Sequence, residues 1–391
     1  MTRVAITGIG VVAPGAIGID AFANFLDRGE TSIGDVDRFD TAGLRAHAAA
    51  LVRDFSAKEF IAPMKLRRMN TLSRFGVAAA RLAMSDRGSA LPSASGVAMG
   101  TAFGPVQTSV EYMQEYVEKG AALAPPQLFA ESVANAPGSH VGIEFDLRGF
   151  NVTVTQRESS ALAALMYAAS QIAKGTVPAA IAGGVEEVNE IVFSVLDRLG
   201  ALGECSRPFD RRRNGMVMGE GAAALTLDAA AKDHAYAFAS GFGIGRDASA
   251  TISDWGEGAD AVAATMRAAI DDAEVSLEDI DAIYASANST LRADRLEYRA
   301  IQSLFSPVPP VVATKGYFGE YAAGGALPLV AAVLALRDQK LHASVGFREP
   351  DSEMRFTPTA EKSDRRLRHV LVNSISAGGG IVCAVLSREA P

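Results

Sequence analysis

A chain of 391 residues, 49% hydrophobic and 21% charged, can bury more core than one average domain holds, so two domains or one large pseudo-duplicated unit is expected. A formal charge of −8 argues against the basic face that phosphate binding needs, and so against a nucleic-acid partner. The two cysteines, Cys205 and Cys383, are far apart and in no CxxC spacing, which suggests neither a zinc site nor a disulfide framework and fits a reducing compartment.

The opening MTRVAITGIGVVAPG reads as a buried strand over residues 3–12, closed by Pro14 and Gly15. It lacks the apolar core of a signal peptide, and no run of about 18 apolar residues follows anywhere, so a soluble cytoplasmic protein without a membrane span is expected. A dinucleotide site would need a third glycine where Ala13 stands, and no well-placed acidic residue follows, which leaves a plain strand and turn. Residues 67–84 have helical period, 96–104 form a strand ending in a glycine loop, and 106–120 form a helix. On that helix Val110, Met113 and Val117 recur at helical spacing, with Tyr112 and Tyr116 nearby.

Residues 151–169, NVTVTQRESSALAALMYAA, organise the rest of the chain. A β-branched strand breaks at residues 156–159 into a helix of small and apolar residues suited to burial. Such a junction meets the unpaired N–H groups and the positive dipole end of the helix, where an α/β enzyme often carries a nucleophile. Here it holds Gln156, Arg157 and Glu158, none with a thiol or hydroxyl.

Residues 177–184 are a buried strand, and 205–227 hold Arg211, Arg212 and Arg213 before a glycine-rich strand. Asp210 and Glu220 are close enough in sequence to pair with these arginines, so an ion-pair knot is expected rather than an anion site. Near Tyr236 the chain starts again with YAFASGFGIGR, which suggests halves of 1–234 and 235–391. Helices at 258–273, 294–304 and 325–337 alternate with strands at 277–287, 310–315, 369–374 and 381–386. Both halves therefore read as α/β layers.

Signatures in the same order along nearly the whole chain give the sequence a family resemblance. They are TGIG, the junction at 155–160, CSRPFD with GEGAAAL, TLRADRLE at 290–297, Thr314-Lys315 and the loop 373–380. Together they resemble the β-ketoacyl synthases of the thiolase superfamily. That implies a thiolase-type fold of two similar α/β halves in a five-layered αβαβα sandwich. The family's nucleophile elbow has a cysteine where Arg157 stands, or Gln156 or Glu158 if the register slips by one. Counting back from Asp294 puts Ser286 at the first catalytic histidine. In KGYFGE the lysine survives as Lys315, and Glu320 takes the place of the second histidine.

The resemblance is therefore to a subunit that has ceased to condense, similar to the chain length factors of type II polyketide synthases. It implies no cofactor and no metal. The implied partners are a cysteine-bearing ketosynthase in a heterodimer and the acyl carrier protein that presents its substrates. In that reading Arg157 faces Glu320 as a buried ion pair, and helix 106–120 crosses the interface. Thr108, Tyr112, Met113 and Tyr116 are the expected gate of the acyl tunnel. Arg157 departs from the glutamine common in the aromatic branch, which points to a branch making polyenes. A ketosynthase-like enzyme decarboxylating malonyl groups around Arg157 is the alternative, and a purely structural protein with a closed pocket is a third.

Overall fold

Residues Val4–Ala13 (β1) are apolar apart from Thr7, as suits a strand covered on both faces, and all ten are buried. The computed structural model describes residues 4–229 and 235–389. The chain continues with β2 (Gly96–Gly100), β3 (Asn151–Val154), β4 (Ala179–Glu186) and β5 (Gly221–Asp228). A second set follows: β6 (Ala237–Arg246), β7 (Ala282–Tyr284), β8 (Val311–Val312), β9 (His369–Ile375) and β10 (Gly380–Ser387).

The sheet order is β3-β2-β4-β5-β1 in the first half and, continuing outward, β6-β10-β9-β7-β8 in the second. In each half the third strand lies parallel to the second, the second parallel to the fourth, and the fifth antiparallel to both the fourth and the first. One path is thus drawn twice, which is the pseudo-duplication the sequence suggested. The halves join where β1 pairs antiparallel with β6, at Val4↔Ala239, Ala5↔Phe238 and Ile6↔Ala237.

Six long helices cover these strands: α1 (Thr71–Arg87), α2 (Val106–Lys119), α3 (Ser160–Ala173), α4 (Ala259–Asp272), α5 (Leu291–Leu304) and α6 (Ala326–Asp338). Strand residues alternate between layers, as a two-residue period requires. On β5, Ala223, Leu225 and Leu227 face the central core, whereas Ala222 and Ala224 join the outer core under α1. On β10, Val382, Ala384 and Leu386 face the same central core, whereas Ile381, Cys383 and Val385 pack outward with residues of α4 and α5. The central layer is α3 and α6, and every residue from Ala326 to Leu336 is buried. A helix apolar all round belongs between two sheets. The result is the five-layered αβαβα arrangement of the thiolase type.

Two expected boundaries move for local reasons. Helix α1 starts at Thr71 rather than residue 67, because the Asn70 side chain accepts the Ser73 N–H and caps it there. The strand expected over 310–315 stops at Val312, and Lys315 instead opens a one-turn helix, Lys315–Phe318. The inferred boundary near 230–235 falls mostly on residues outside the described ones. Among the described residues no helix is long and apolar enough to cross a membrane.

Candidate functional site

The elbow is held by close approach and by serines. A Cβ on Gly100, at the end of β2, would lie 2.4 Å from the Ser160 carbonyl carbon, so only glycine lets the first turn of α3 sit against that strand. After β3 the backbone turns sharply, and Arg157 adopts φ 48, a left-handed conformation that costs a non-glycine residue about 1–3 kcal/mol. Ser160 Oγ accepts from the Gln156 N–H at 2.9 Å and donates to the Arg157 carbonyl at 2.6 Å. Ser374 Oγ donates to the Glu158 carbonyl (2.9 Å), Ser376 Oγ donates to that of Gln156 (2.9 Å), and Ser376 Oγ accepts from the Ser159 N–H (3.1 Å). The turn is thus sewn to the end of β9 and the loop that follows it, and its strained apex is Arg157.

Below the apex lies a buried polar chain. Lys315 Nζ donates to Glu320 Oε2 and to the Ser286 carbonyl, both at 2.7 Å, with the lysine and glutamate side chains 5% and 0% exposed. Glu320 also accepts from Asn288 Nδ2 (2.8 Å) and the Tyr321 N–H (2.9 Å). Glu158 accepts from Tyr321 Oη (3.0 Å) and the Ala377 N–H (3.2 Å). Ser286 is tied in by its N–H to Glu297 Oε1 (2.8 Å) and by its hydroxyl, which accepts the Ile375 N–H (2.9 Å).

The expected Arg157–Glu320 pair is not formed, because Lys315 has taken the glutamate. A lysine and a glutamate five residues apart, folded back through the turn at Gly319, meet without any long-range closure, and that local pairing wins. The residue beside Glu320 from the elbow is Glu158, which is buried, while Arg157 is half-exposed and lines a cleft with Arg246. Gln156 is half-buried, its side chain lying against Gly380. The sequence marks Glu158 as an elbow neighbour, or as the elbow residue itself if the register slips by one, but not as the buried carboxyl facing Glu320. A charged residue leading a helix of mostly small and apolar residues is the signal that could have found it.

The arginine run is also corrected. Arg212 pairs with Asp210 (3.5 Å), as expected, but Glu220 is taken by Arg38, Arg211 by Glu349, and the buried Arg213 by Asp351 (3.0 Å). Nor do the four gate residues share one face. Thr108 is buried at the root of α2, beside Glu131 and Glu187. The Tyr112 ring lies 6.3 Å from that of Tyr116 and 5.5 Å from that of Phe129. Met113 sits with Val106, Val110 and Val117 on an exposed apolar groove.

Burial, and after it the charge of Glu320, pushes the Glu158 carboxyl up to about 7. Burial raises Glu297 to about 7 as well, and Glu186, which holds the N–H groups of Ala102 and Phe103, to about 8. The unfolded chain releases these protons in the ordinary glutamate range, whereas the folded chain keeps them longer. The contribution of these three groups to stability is then greatest below that range and falls as pH rises through the folded values. Urea unfolding at intervals from about pH 5 to about pH 8 is expected to give a declining midpoint, and Glu158→Gln a shallower decline. A flat profile, or one the substitution leaves alone, would contradict the assignment.

The apex of the turn carries the Arg157 guanidinium, position 286 a hydroxyl that accepts the Ile375 N–H, and position 320 a carboxylate bound to Lys315. Comparison with known proteins agrees on the scaffold. The family described as "Beta-ketoacyl synthase, N-terminal domain" matches residues 1–233, and its C-terminal domain matches residues 236–348. A 3-oxoacyl-[acyl-carrier-protein] synthase 2 of Coxiella burnetii is 30% identical, with 99% of this chain and 98% of that protein covered. A polyketide β-ketoacyl synthase of Streptomyces cyaneus is 32% identical, covering 98% of this chain and 97% of the relative. Among solved structures, the ishigamide ketosynthase/chain length factor superposes with a TM-score of 0.90 at 27% identity, covering all of both chains. Two family domains in tandem and relatives matched end to end leave one assignment: this chain belongs to the β-ketoacyl synthase family.

Proposed function

We propose that the chain is a non-condensing subunit, a chain length factor, that shapes the acyl tunnel of a cysteine-bearing ketosynthase in a type II polyketide system. The observation that carries this is the composition of the three catalytic positions. Arg157, Ser286 and Glu320 offer no thiolate to hold an acyl chain and no imidazole to stabilise an enolate. The retained Lys315 is neutralised by Glu320 at 2.7 Å.

Two unpartnered features support a protein partner. Strand β3 is the edge of the sheet, with Val152, Thr153 and Val154 only half-buried, and an open edge is a template for pairing with another chain. Helix α2 leaves Met113 52% and Val117 75% exposed, with Leu123 and Phe129 exposed beyond it. The ketosynthase partner performs decarboxylative condensation on substrates held by acyl carrier protein, and this chain, read as halves 1–234 and 235–391, closes the tunnel in the cytoplasm. Tyr112, Met113 and Tyr116, with Thr108 at their root, set where the tunnel stops. A polyene product follows from the arginine at the elbow.

Native mass spectrometry of the protein purified gently from its source cells tests this. A one-to-one complex with a homologue that keeps the cysteine and both histidines is expected, and in that reconstituted complex Tyr112→Ala or Met113→Ala lengthens the product. A homodimer alone, or unchanged length with both substitutions, would remove the reading. The second reading is the malonyl-decarboxylating enzyme. It gains from Glu158, a buried carboxyl held near neutrality beside the elbow. It requires the isolated chain to turn over malonyl carrier protein at a rate that Arg157→Gln alters.

A further inference from the structure

Arg157 and Arg246 line the same cleft of about 630 Å³, together with Gln156, Ile244, Gly378 and Gly380. Among the described residues neither guanidinium has a hydrogen-bond or ion-pair partner. The acidic neighbours of both arginines are turned away. Glu158 points inward to Tyr321 and the Ala377 N–H, and Asp247 is spent on Ser249 Oγ (2.7 Å) and the Gly258 N–H (2.8 Å). Asp254, on the loop that packs behind the glycine turn, is held by Arg292. The cleft is therefore lined by two uncompensated positive charges.

The backbone around the cleft suits a ligand that comes close. Gly378, at φ 91, lines the cleft, and a Cβ there would have only the Ile252 carbonyl oxygen within 4 Å, at 3.9 Å, so this part of the floor is bare. Ile244, 63% exposed, supplies an apolar rim. The strained φ of Arg157 aims a long, planar donor group outward from a buried turn, where a smaller side chain would stop short. Two guanidinium forks on one side and an apolar rim on the other match a short carbon chain that ends in an oxyanion.

We propose that Arg157 and Arg246 form an oxyanion-binding site at this cleft, taking the carboxylate or phosphate terminus of a small carbon-chain ligand. The site does not depend on the chain-length reading, since neither arginine touches the buried Lys315–Glu320 pair or the apolar groove of α2. It also separates the two arginines' roles from any proton chemistry at Glu158, which lies on the other side of the turn.

Isothermal titration calorimetry on the purified full chain, in the assembly in which it is isolated, tests it with inorganic phosphate, malonate and uncharged malonamide. Phosphate and malonate are expected to bind saturably and malonamide not at all, with the tighter of the two anions identifying which terminus the site takes. Arg157→Gln and Arg246→Gln should each weaken binding about tenfold or more, the worth of a lost charge-assisted hydrogen bond. Because Arg157 sits in a strained turn, Ile244→Asp serves as a second variant. It is on the exposed rim and should weaken anion binding by adding a negative charge while leaving the turn intact. Absence of saturable binding, equal binding of malonamide, or wild-type affinity in both arginine variants would overturn the proposal.

Discussion

Replacing Glu320 by alanine is expected to destabilise the chain by about 3–5 kcal/mol, the cost of leaving its buried partner charge alone. The pair is out of water on both sides, with Lys315 5% exposed and Glu320 0%. Removing the carboxylate leaves the ammonium with one remaining acceptor, the Ser286 carbonyl at 2.7 Å, and strips an acceptor from Asn288 Nδ2 and from the Tyr321 N–H. The pair itself need not stabilise the fold, since desolvating two charges offsets most of their attraction. That distinction makes the test specific: Lys315→Met placed in the Glu320→Ala background should restore part of the loss, giving a coupling energy of about 1–3 kcal/mol in a double-mutant cycle. Urea unfolding at one fixed protein concentration measures all four proteins, because a dimer's stability moves with concentration. Glu320→Ala within about 0.5 kcal/mol of the parent, the range of an ordinary surface change, would mean the buried pair is not formed in solution.

The sequence carried the scaffold further than the site. Runs of small and β-branched residues closed by glycines located β1, β2, β4 and β6 closely, because a strand covered on both faces carries little polar surface. The small-residue run after Ser159 announced a central helix for the same reason. Pairing of charges was not legible. Arg157 and Glu320 stood at positions that the family resemblance brings together, yet the backbone at φ 48 sends Arg157 to the cleft, and Lys315 reaches Glu320 through one tight turn. Glu220 went to Arg38, 182 residues away, rather than to the arginines beside it. Sequence spacing says which charges are near along the chain. Which of them share a pocket depends on turns set by single glycines and serines, such as Gly319, Ser374 and Ser376.

Val117→Asp is expected to weaken the proposed heterodimer by about 2 kcal/mol or more, roughly thirtyfold in affinity, while leaving this chain's own fold intact. Val106, Val110, Met113 and Val117 fall on one face of α2 and line a groove of about 440 Å³ whose outer members are exposed in the single chain. Among the residues of that helix only Thr108 is buried, so α2 contributes little to its own core. An amphipathic helix whose apolar face stays in water is stabilised by whatever covers that face. A carboxylate at position 117 would have to be desolvated on assembly without a partner, whereas in the free chain it stays hydrated and changes stability by no more than about 0.5 kcal/mol. Met113→Lys carries the opposite charge on the same face and should weaken assembly as much, which separates loss of apolar burial from a particular charge contact. Sedimentation velocity with the cysteine-bearing protein that co-purifies reads both substitutions. If the complex keeps its affinity with aspartate at 117 and lysine at 113, α2 does not cross the interface, and the open edge of β3 must carry the association by itself.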